Sequence, residues 1–350
     1  MKTAPKEGPK KSLRTFFIVL FIIVLLLLIP LFYIFHLLGK TNFDNSKDNE
    51  ILMNESSHNI QQNTEEDIPK KVYTNFVIFG VDSRNNTLSS GTRSDCIILV
   101  NVNHTTKEVK MSSVYRDTYV EIPSHGYTKI NHAYAYGGYS LALSTLNTNF
   151  DLNFTQYVTV NFYAVTKIVD LIGGIELDIQ PNELKWLNGY VREINQVNNT
   201  SVAGLTLAGT QTVNGTQALA YARIRYTAGG DFKRAERQRI VVDKIFEKVK
   251  SQDLVSLNRI INQMLPEVST NINSFTILNL AKDVFSYSIT KSEGFPYENE
   301  IRKIKGVSYV VPKDLRSNVV TLHMNLLEDS SYQPSDTVIS ISESIDSVLK

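Results

Sequence analysis

The sequence predicts an α/β fold preceded by one N-terminal transmembrane helix. Three observations carry that prediction. Short apolar strands alternate with helical stretches from residue 75 onward, the pattern of a sheet covered by helices. An uncharged apolar run fills residues 15–38, longer than the ~20 residues that cross a bilayer. The 350 residues are 42% hydrophobic and 20% charged, an ordinary globular balance that permits a substantial core.

At the N-terminus, Lys2, Lys6, Lys10, Lys11 and Arg14 precede the apolar run. The positive-inside rule therefore places residues 1–14 in the cytoplasm and everything after Lys40 outside. A cleaved signal peptide would show a shorter apolar core and a small-residue cleavage site, so the run reads as an uncleaved anchor in a single-pass cell-membrane protein. The basic arm is too short to hold a folded DNA-binding domain. Residues 39–70, rich in Asn, Ser, Gln, Asp and Glu, bury too little apolar surface to offset their ordering entropy and read as a flexible extracytoplasmic tether. Residues 71–350 read as one extracytoplasmic domain, with a C-terminal extension over about 251–350. Formal net charge is +1, so global electrostatics gives no case for nucleic acid. Cys96 is the only cysteine, which excludes an internal disulfide, and its apolar neighbours suggest a buried strand residue rather than a reactive thiol.

Within the domain, residues 75–81 form a buried-type strand ending at Asp82. Residues 96–101 form a second strand, 103–106 a hairpin turn, and 109–114 the returning strand, which ends at Tyr115-Arg116-Asp117. If the first two strands also pair antiparallel, Asp82, Asp95 and Arg116 converge on one sheet edge. Two carboxylates together make either a hard-cation site or a pair of solvated loop groups. Asn131 is placed to cap a helix to about residue 149, with Gly137-Gly138 a soft point inside it. Residues 157–162 alternate as a strand, 163–172 are helical, Gly173-Gly174 close that helix, and 175–179 form another strand. Residues 182–203 read as a polar insertion without strong periodicity, its Trp186 a packed aromatic rather than a lid. Residues 205–222 carry a turn at 212–215 and a short helix. Two amphipathic helices follow at 254–265 and 273–286, then a strand at 307–311 and closing elements at 318–326 and 339–349. His125 and His132 read as structural.

The stretch ARIRYTAGGDFKRAERQ at 222–238 concentrates charge that suits phosphate, because guanidinium offers a planar fork of donors. Arg223 and Arg225, two apart, share a face only in an extended segment. Asp231 is placed to cap a helix that carries Arg234 and Gln238 on one face, while Arg239 faces elsewhere. The alternative is a solvated basic helix with a few surface ion pairs. The Arg-x-Arg arm followed by Gly-Gly-Asp favours the first reading.

Taken together, Phe79-Gly80-Val81-Asp82-Ser83-Arg84, Arg93-Ser94-Asp95, Tyr115-Arg116-Asp117-Thr118, Lys129-Ile130-Asn131-His132-Ala133-Tyr134, Val169-Asp170 with Gly173-Gly174, and the block from Arg223 to Gln238 resemble the LytR–CpsA–Psr proteins of bacterial cell envelopes. The motifs occur in that family's order. The resemblance implies a single mixed β-sheet flanked by helices, with a deep apolar pocket for a polyprenyl chain, expected between the sheet and the helices at 131–149 and 163–172. It also implies a Mg²⁺-dependent phosphotransferase that moves a glycopolymer (wall teichoic acid, capsule or a related glycan) from a polyprenyl-pyrophosphate carrier onto peptidoglycan. A non-catalytic binder of lipid-linked polymers and an envelope-linked regulator of the transcriptional-attenuator type are the alternatives. By the same resemblance Asp82 and Asp95 serve the metal. Arg84, Arg116, Lys129, Arg223, Arg225, Arg234, Arg237 and Gln238 hold the pyrophosphate, and Arg116, Arg223, Arg225 and Asp231 form the catalytic set. The base toward the acceptor stays open among Asp231, Asp117 and a metal-bound water. One departure is visible: Tyr115 stands where the family pattern has proline, so the backbone before Arg116 lacks proline's fixed torsion.

Overall fold

Alternation of apolar and polar residues builds the central sheet of the protein, here described from a computed structural model over residues 42–43, 73–81 and 91–349. The first strands are β1 (Asn42–Phe43), β2 (Tyr73–Val81), β3 (Ser94–Asn103) and β4 (Glu108–Val114). The ribbon of β5 (Tyr119–Ile122) and β6 (Gly126–Lys129) leads into helix α1 (Asn131–Phe150), then β7 (Gln156–Asn161) and α2 (Phe162–Leu171). Next come β8 (Ile175–Ile179), α3 (Pro181–Asn198), β9 (Gly209–Val213), α4 (Gly215–Arg223) and α5 (Gly230–Lys250). The remainder is α6 (Leu254–Met264), β10 (Val268–Thr270), α7 (Ser274–Lys282), β11 (Ser288–Phe295), β12 (Asn299–Ile304), β13 (Val307–Pro312), α8 (Leu315–Leu322) and α9 (Asp336–Leu349).

Seven strands form one mixed sheet in the order β1-β10-β7-β2-β3-β4-β11. Its centre is the antiparallel meander β2-β3-β4, flanked by β7 parallel to β2 and by β11 parallel to β4. Side chains of a strand alternate between faces, and β3 shows both being covered. Ile97 and Leu99 join a core with Leu143, Leu146 and Phe150 of α1 and Leu322 and Ile341 of the C-terminal helices. Ile98 and Val100 face the other way, with Val242 and Phe246 of α5 and Leu280 of α7 packed against them. A third core joins α2, the β8–β9 ribbon, α3, α4 and α5 through Val169, Leu177, Leu187, Val213, Leu219 and Val241. That third core fixes the helices that carry the arginines.

Several sequence expectations change here. Residues 182–203 are not an irregular insertion, since α3 occupies 181–198. Pro181 opens that helix, and Gln180 and Glu183 close a reciprocal cap in which the Gln180 N–H donates to Glu183 Oε2 at 2.9 Å. Its buried residues Glu183, Leu187, Val191 and Ile194 recur at helical spacing, but the first of them is charged, which hides the stripe. Helix α1 begins at Asn131 itself, without a side-chain cap, and Gly137 and Gly138 break its helical torsions. At 212–215 there is no simple turn: β9 runs to Val213, and Asn214 caps α4 by accepting from the Gln217 N–H. The C-terminal region adds β11 to the central sheet and packs α8 and α9 onto its core, so it is built into the fold.

On the α1 side of the expected apolar pocket, large side chains pack against the sheet. Tyr134, Leu143 and Phe150 are fully buried there, and Tyr139 stacks on Tyr157 with ring centres 3.9 Å apart. No helix among the described residues is long and apolar enough to cross a membrane. The span expected over 15–38 lies outside those residues, as do the arm at 1–14 and all of the tether at 39–70 except Asn42 and Phe43.

Candidate active site

The antiparallel pairing that the sequence left conditional is present, and it brings Asp95 to Arg116. Val81 at the end of β2 pairs with Ser94 at the start of β3, and β4 returns beside β3 to end at Val114. Arg116 Nη1 then donates to Asp95 Oδ1 at 2.7 Å. Two further carboxylates surround the same guanidinium: Asp231 at 3.5 Å and Asp117 at 3.8 Å. Burial opposes the charge of Arg116, but Asp231, Asp95 and Asp117 outweigh it and raise its pKa. Asp82 and Arg84 lie outside the described residues.

Tyr115, in the position of the family's proline, supplies its own constraint on the backbone before Arg116. Its N–H donates to the Phe295 carbonyl at 2.9 Å, a bond proline could not make. Its ring meets Phe232 of α5 edge-on at 4.6 Å. The hydroxyl end fits only because residue 294 is glycine: a Cβ there would stand 2.1 Å from Tyr115 Oη.

Arg223 and Arg225 do not share one extended arm. Arg223 ends α4, Ile224 is extended, and Arg225 follows it. Both nevertheless line one cavity of about 410 Å³. Arg116 and Arg234 line it too, with Gln238 one helical turn beyond Arg234. The turn between arm and helix uses Gly229 at φ 89° and Gly230 at φ 50°, left-handed torsions that favour glycine. Gly229, not Asp231, is the cap residue of α5, and Asp231 sits in the first turn, where its negative charge complements the helix dipole. It pairs with Arg234 at 3.0 Å and so holds both Arg234 and Arg116. Burial lowers the pKa of Arg234, Asp231 opposes that shift, and the neighbouring Arg116 charge adds to it.

Two of the expected pyrophosphate residues lie elsewhere. Arg237 is 1% exposed and faces away from the cavity. Its Nε donates to Glu183 Oε1 at 2.8 Å, its Nη1 to the Ile224 carbonyl at 3.0 Å and its Nη2 to Thr227 Oγ1 at 2.7 Å. It therefore ties α3 and the arginine-bearing arm to α5. Only Ala235 and Glu236 lie between it and Arg234, and it is the partners Glu183, Ile224 and Thr227 that draw it away from the cavity. Lys129 lines a second cavity instead, pairing with Asp117 at 3.2 Å.

Aromatic walls were not foreseen. Phe162, Trp186, Tyr190 and Tyr226 complete the arginine cavity, together with Glu193. Trp186 packs on Tyr226 at 4.9 Å, so it is a wall of the cavity as well as a packed ring. Arg223 donates to Glu193 at 2.8 Å and lies over Tyr190 and Phe162. The spacing of Trp186, Tyr190 and Glu193 is that of one helix face, a signal that reading α3 as helix would have exposed. Cys96, on β3, has its thiol pushed up to about 12 by burial, which removes it as a nucleophile near neutral pH.

The lining of this cavity carries four arginines against two carboxylates, Asp95 and Glu193, and so favours an anion with several oxygens. Arg116 and Arg225 also lie close enough to feel each other's charge. No three acidic, histidine or cysteine side chains cluster as a metal cage among the described residues. A cation held here would draw on Asp95, whose second carboxylate oxygen is not the one bonded by Arg116, and on ligand oxygens. That donor set suits Mg²⁺, which takes one or two carboxylates with waters and phosphate oxygens.

Comparison with known proteins follows the same line. The LytR_cpsA_psr family model matches residues 36–325. The polyisoprenyl-teichoic acid–peptidoglycan teichoic acid transferase TagU of Enterococcus faecalis is 32% identical over 65% of this chain and 67% of its own. TagT of Bacillus subtilis, which carries the same transferase name, is 32% identical over 66% of this chain and 70% of its own. A solved structure described as the LytR-CPS2A-psr family protein YwtF (TagT) with bound octaprenyl pyrophosphate lipid superposes with a TM-score of 0.55. It is 26% identical and covers 75% of this chain and 94% of its own.

Proposed function

The chain belongs to the LytR_cpsA_psr family, and on that premise we propose that it transfers a glycopolymer from a polyprenyl-pyrophosphate carrier to peptidoglycan. The observation that carries this reading is the cavity with four arginines against two carboxylates, lined as well by aromatic rings over which Arg223 and Arg225 lie. A pyrophosphate presents oxygens to the guanidinium forks, and sugar or lipid carbons attached to it have apolar surface to lie against. The names of the relatives agree: two are teichoic acid transferases, and one of these, TagT, has a solved structure described with bound octaprenyl pyrophosphate lipid.

The reaction follows from the charges. An acceptor hydroxyl attacks the phosphorus that bears the polymer, the bridging P–O bond of the pyrophosphate breaks, and polyprenyl phosphate leaves while the hydroxyl loses its proton. Negative charge grows on the leaving phosphate and on the transferring phosphoryl oxygens. Arg116, fixed among Asp95, Asp117 and Asp231, meets that charge without reorganising. Arg223, Arg225 and Arg234 hold the rest of the pyrophosphate, and Gln238 adds an amide donor. We assign Mg²⁺ to Asp95 with Asp82, where the ion would supply further neutralisation of phosphate charge. The domain is proposed to work outside the membrane, anchored by residues 15–38.

The test supplies a lipid-linked glycopolymer and peptidoglycan oligomers and looks by mass spectrometry for a phosphodiester-joined product. Product is expected. Retention of the lipid with no product under any divalent-cation condition would overturn the transferase reading in favour of a binder.

A further inference from the structure

A second cavity, of about 610 Å³, adjoins the arginine cavity and shares with it Asp95 and Arg116. Its own residues differ in kind. Arg93 and Lys129 supply positive charge, Asp117 sits between Lys129 and Arg116, and Val307 of the β12–β13 hairpin closes one side. Asn131 lines it and is 3% exposed, yet its amide oxygen has no hydrogen-bond partner. A buried acceptor left open is costly unless a ligand donor meets it. His132 lines the cavity as well, with Nδ1 at 3.0 Å from Thr128 Oγ1. That contact ties down one ring nitrogen and leaves Nε2 for other work.

Resting on the transferase reading, we propose that this second cavity is the acceptor subsite. It takes a segment of glycan bearing free hydroxyls, amide groups and carboxylates, and His132 is the base that receives the proton of the attacking hydroxyl. The placement suits the chemistry. The Asp95–Arg116 pair is the boundary between the cavities, so a phosphoryl group held against Arg116 in the first is open to attack from the second. Arg93 and Lys129 answer the carboxylates of a wall glycan. The Asn131 oxygen accepts from a hydroxyl or amide of the incoming sugar. When the hydroxyl oxygen bonds to phosphorus its proton passes to Nε2 of His132, the bridging P–O bond breaks, and the electron pair leaves with the polyprenyl phosphate. His132 is suited to that task because burial, Arg93 and Lys129 lower its pKa against the opposing charge of Asp117, so the ring is neutral at physiological pH.

The full-length protein in membranes or detergent is assayed for transfer from a lipid-linked glycopolymer to peptidoglycan oligomers, with each substrate varied in turn. His132→Gln is expected to lower kcat by about 10²-fold or more, the usual share of general-base catalysis, and to flatten the rise of rate with pH through the imidazole range. Asn131→Ala is expected to raise the acceptor KM about tenfold, the scale of one hydrogen bond, with donor affinity unchanged. Octaprenyl pyrophosphate binding serves as the folding control for both variants. A readout on the unsubstituted protein is independent of folding losses: the His132 ring signals in a ¹⁵N-histidine NMR spectrum should move on adding a disaccharide-peptide wall fragment and not on adding octaprenyl pyrophosphate. If the wild type transfers and His132→Gln keeps its kcat and pH profile, or the ring signals ignore the wall fragment, the subsite assignment is wrong. A wild type that binds lipid but never transfers would instead sink the transferase reading beneath it.

Discussion

At the scale of single residues, Arg237 shows how an arginine in the middle of an arginine-rich stretch comes to tie helices together rather than to line the cavity. Its partner Glu183 is 3% exposed and lies on a different helix, so no local pattern in the sequence points to the pair. Removing one member of a buried ion pair leaves the other charge uncompensated. Arg237→Met is therefore expected to cost about 3–5 kcal/mol in urea unfolding, and Glu183→Leu in the same chain should restore much of the loss. A single substitution costing under about 1 kcal/mol would place Arg237 among ordinary surface positions. By contrast, the gathering of Asp95, Arg116, Arg223, Arg225, Arg234 and Gln238 around one cavity was legible, because the strand ends and the helix phase state the place. Cys96 was legible in part. The apolar neighbours indicated an inert thiol, and the structure adds that burial drives its pKa up to about 12. Cys96 is half-buried by accessible surface, so iodoacetamide should alkylate the native protein at pH 8 far more slowly than the denatured one; equal rates would contradict the raised pKa.

At the scale of elements, β2 and β3 could be read because they carry apolar runs, FVIF and CIILV, and β4 because it returns from the turn at 103–106. Helix α3 could not, since its inward stripe begins with a charged residue whose partner was unknown. Missing that helix meant missing the aromatic wall on its other face. Strand β11, SITKSEGF, is polar from Thr290 to Glu293 without a break and is half-buried or exposed except at Phe295, so it reads as loop until its pairing with β4 is seen. That strand matters to the site through Gly294, against which the Tyr115 hydroxyl rests. Gly294→Ala is expected to push Tyr115 aside, loosening the backbone that leads to Arg116. Overpacking of this kind costs typically about 1–3 kcal/mol, and transfer activity should fall with stability. The double substitution Gly294→Ala with Tyr115→Leu, which removes the oxygen together with the ring carbon 2.6 Å from the added Cβ, should recover part of both. An unchanged melting temperature for Gly294→Ala would mean that Tyr115 does not constrain the strand end.

At the scale of the whole molecule, the two cavities sit at one edge of the central sheet, where β3 begins and β4 ends, with α3, α4 and α5 on one side and the β12–β13 hairpin on the other. Order along the chain made this arrangement accessible to sequence reasoning, but the helical packing that closes it arises from contacts more than 50 residues apart, such as Arg237 with Glu183. The location of the site follows from the expected anchor at 15–38: protease added to intact protoplasts should digest the domain beyond residue 71, and full protection would place it inside. The central claim, that Asp95 and the arginines act together on one pyrophosphate, has a direct measurement. Transfer of a lipid-linked glycan to peptidoglycan oligomers is titrated with Mg²⁺ for the wild type, Asp95→Asn and Arg225→Lys. Asp95→Asn should need more Mg²⁺ while still binding lipid pyrophosphate without metal. Arg225→Lys keeps its charge but loses the fork, and should transfer about 10²–10³-fold more slowly with an unaltered Mg²⁺ curve. If both variants transfer at the wild-type rate with the wild-type Mg²⁺ dependence, the cavity is not where this protein does its chemistry.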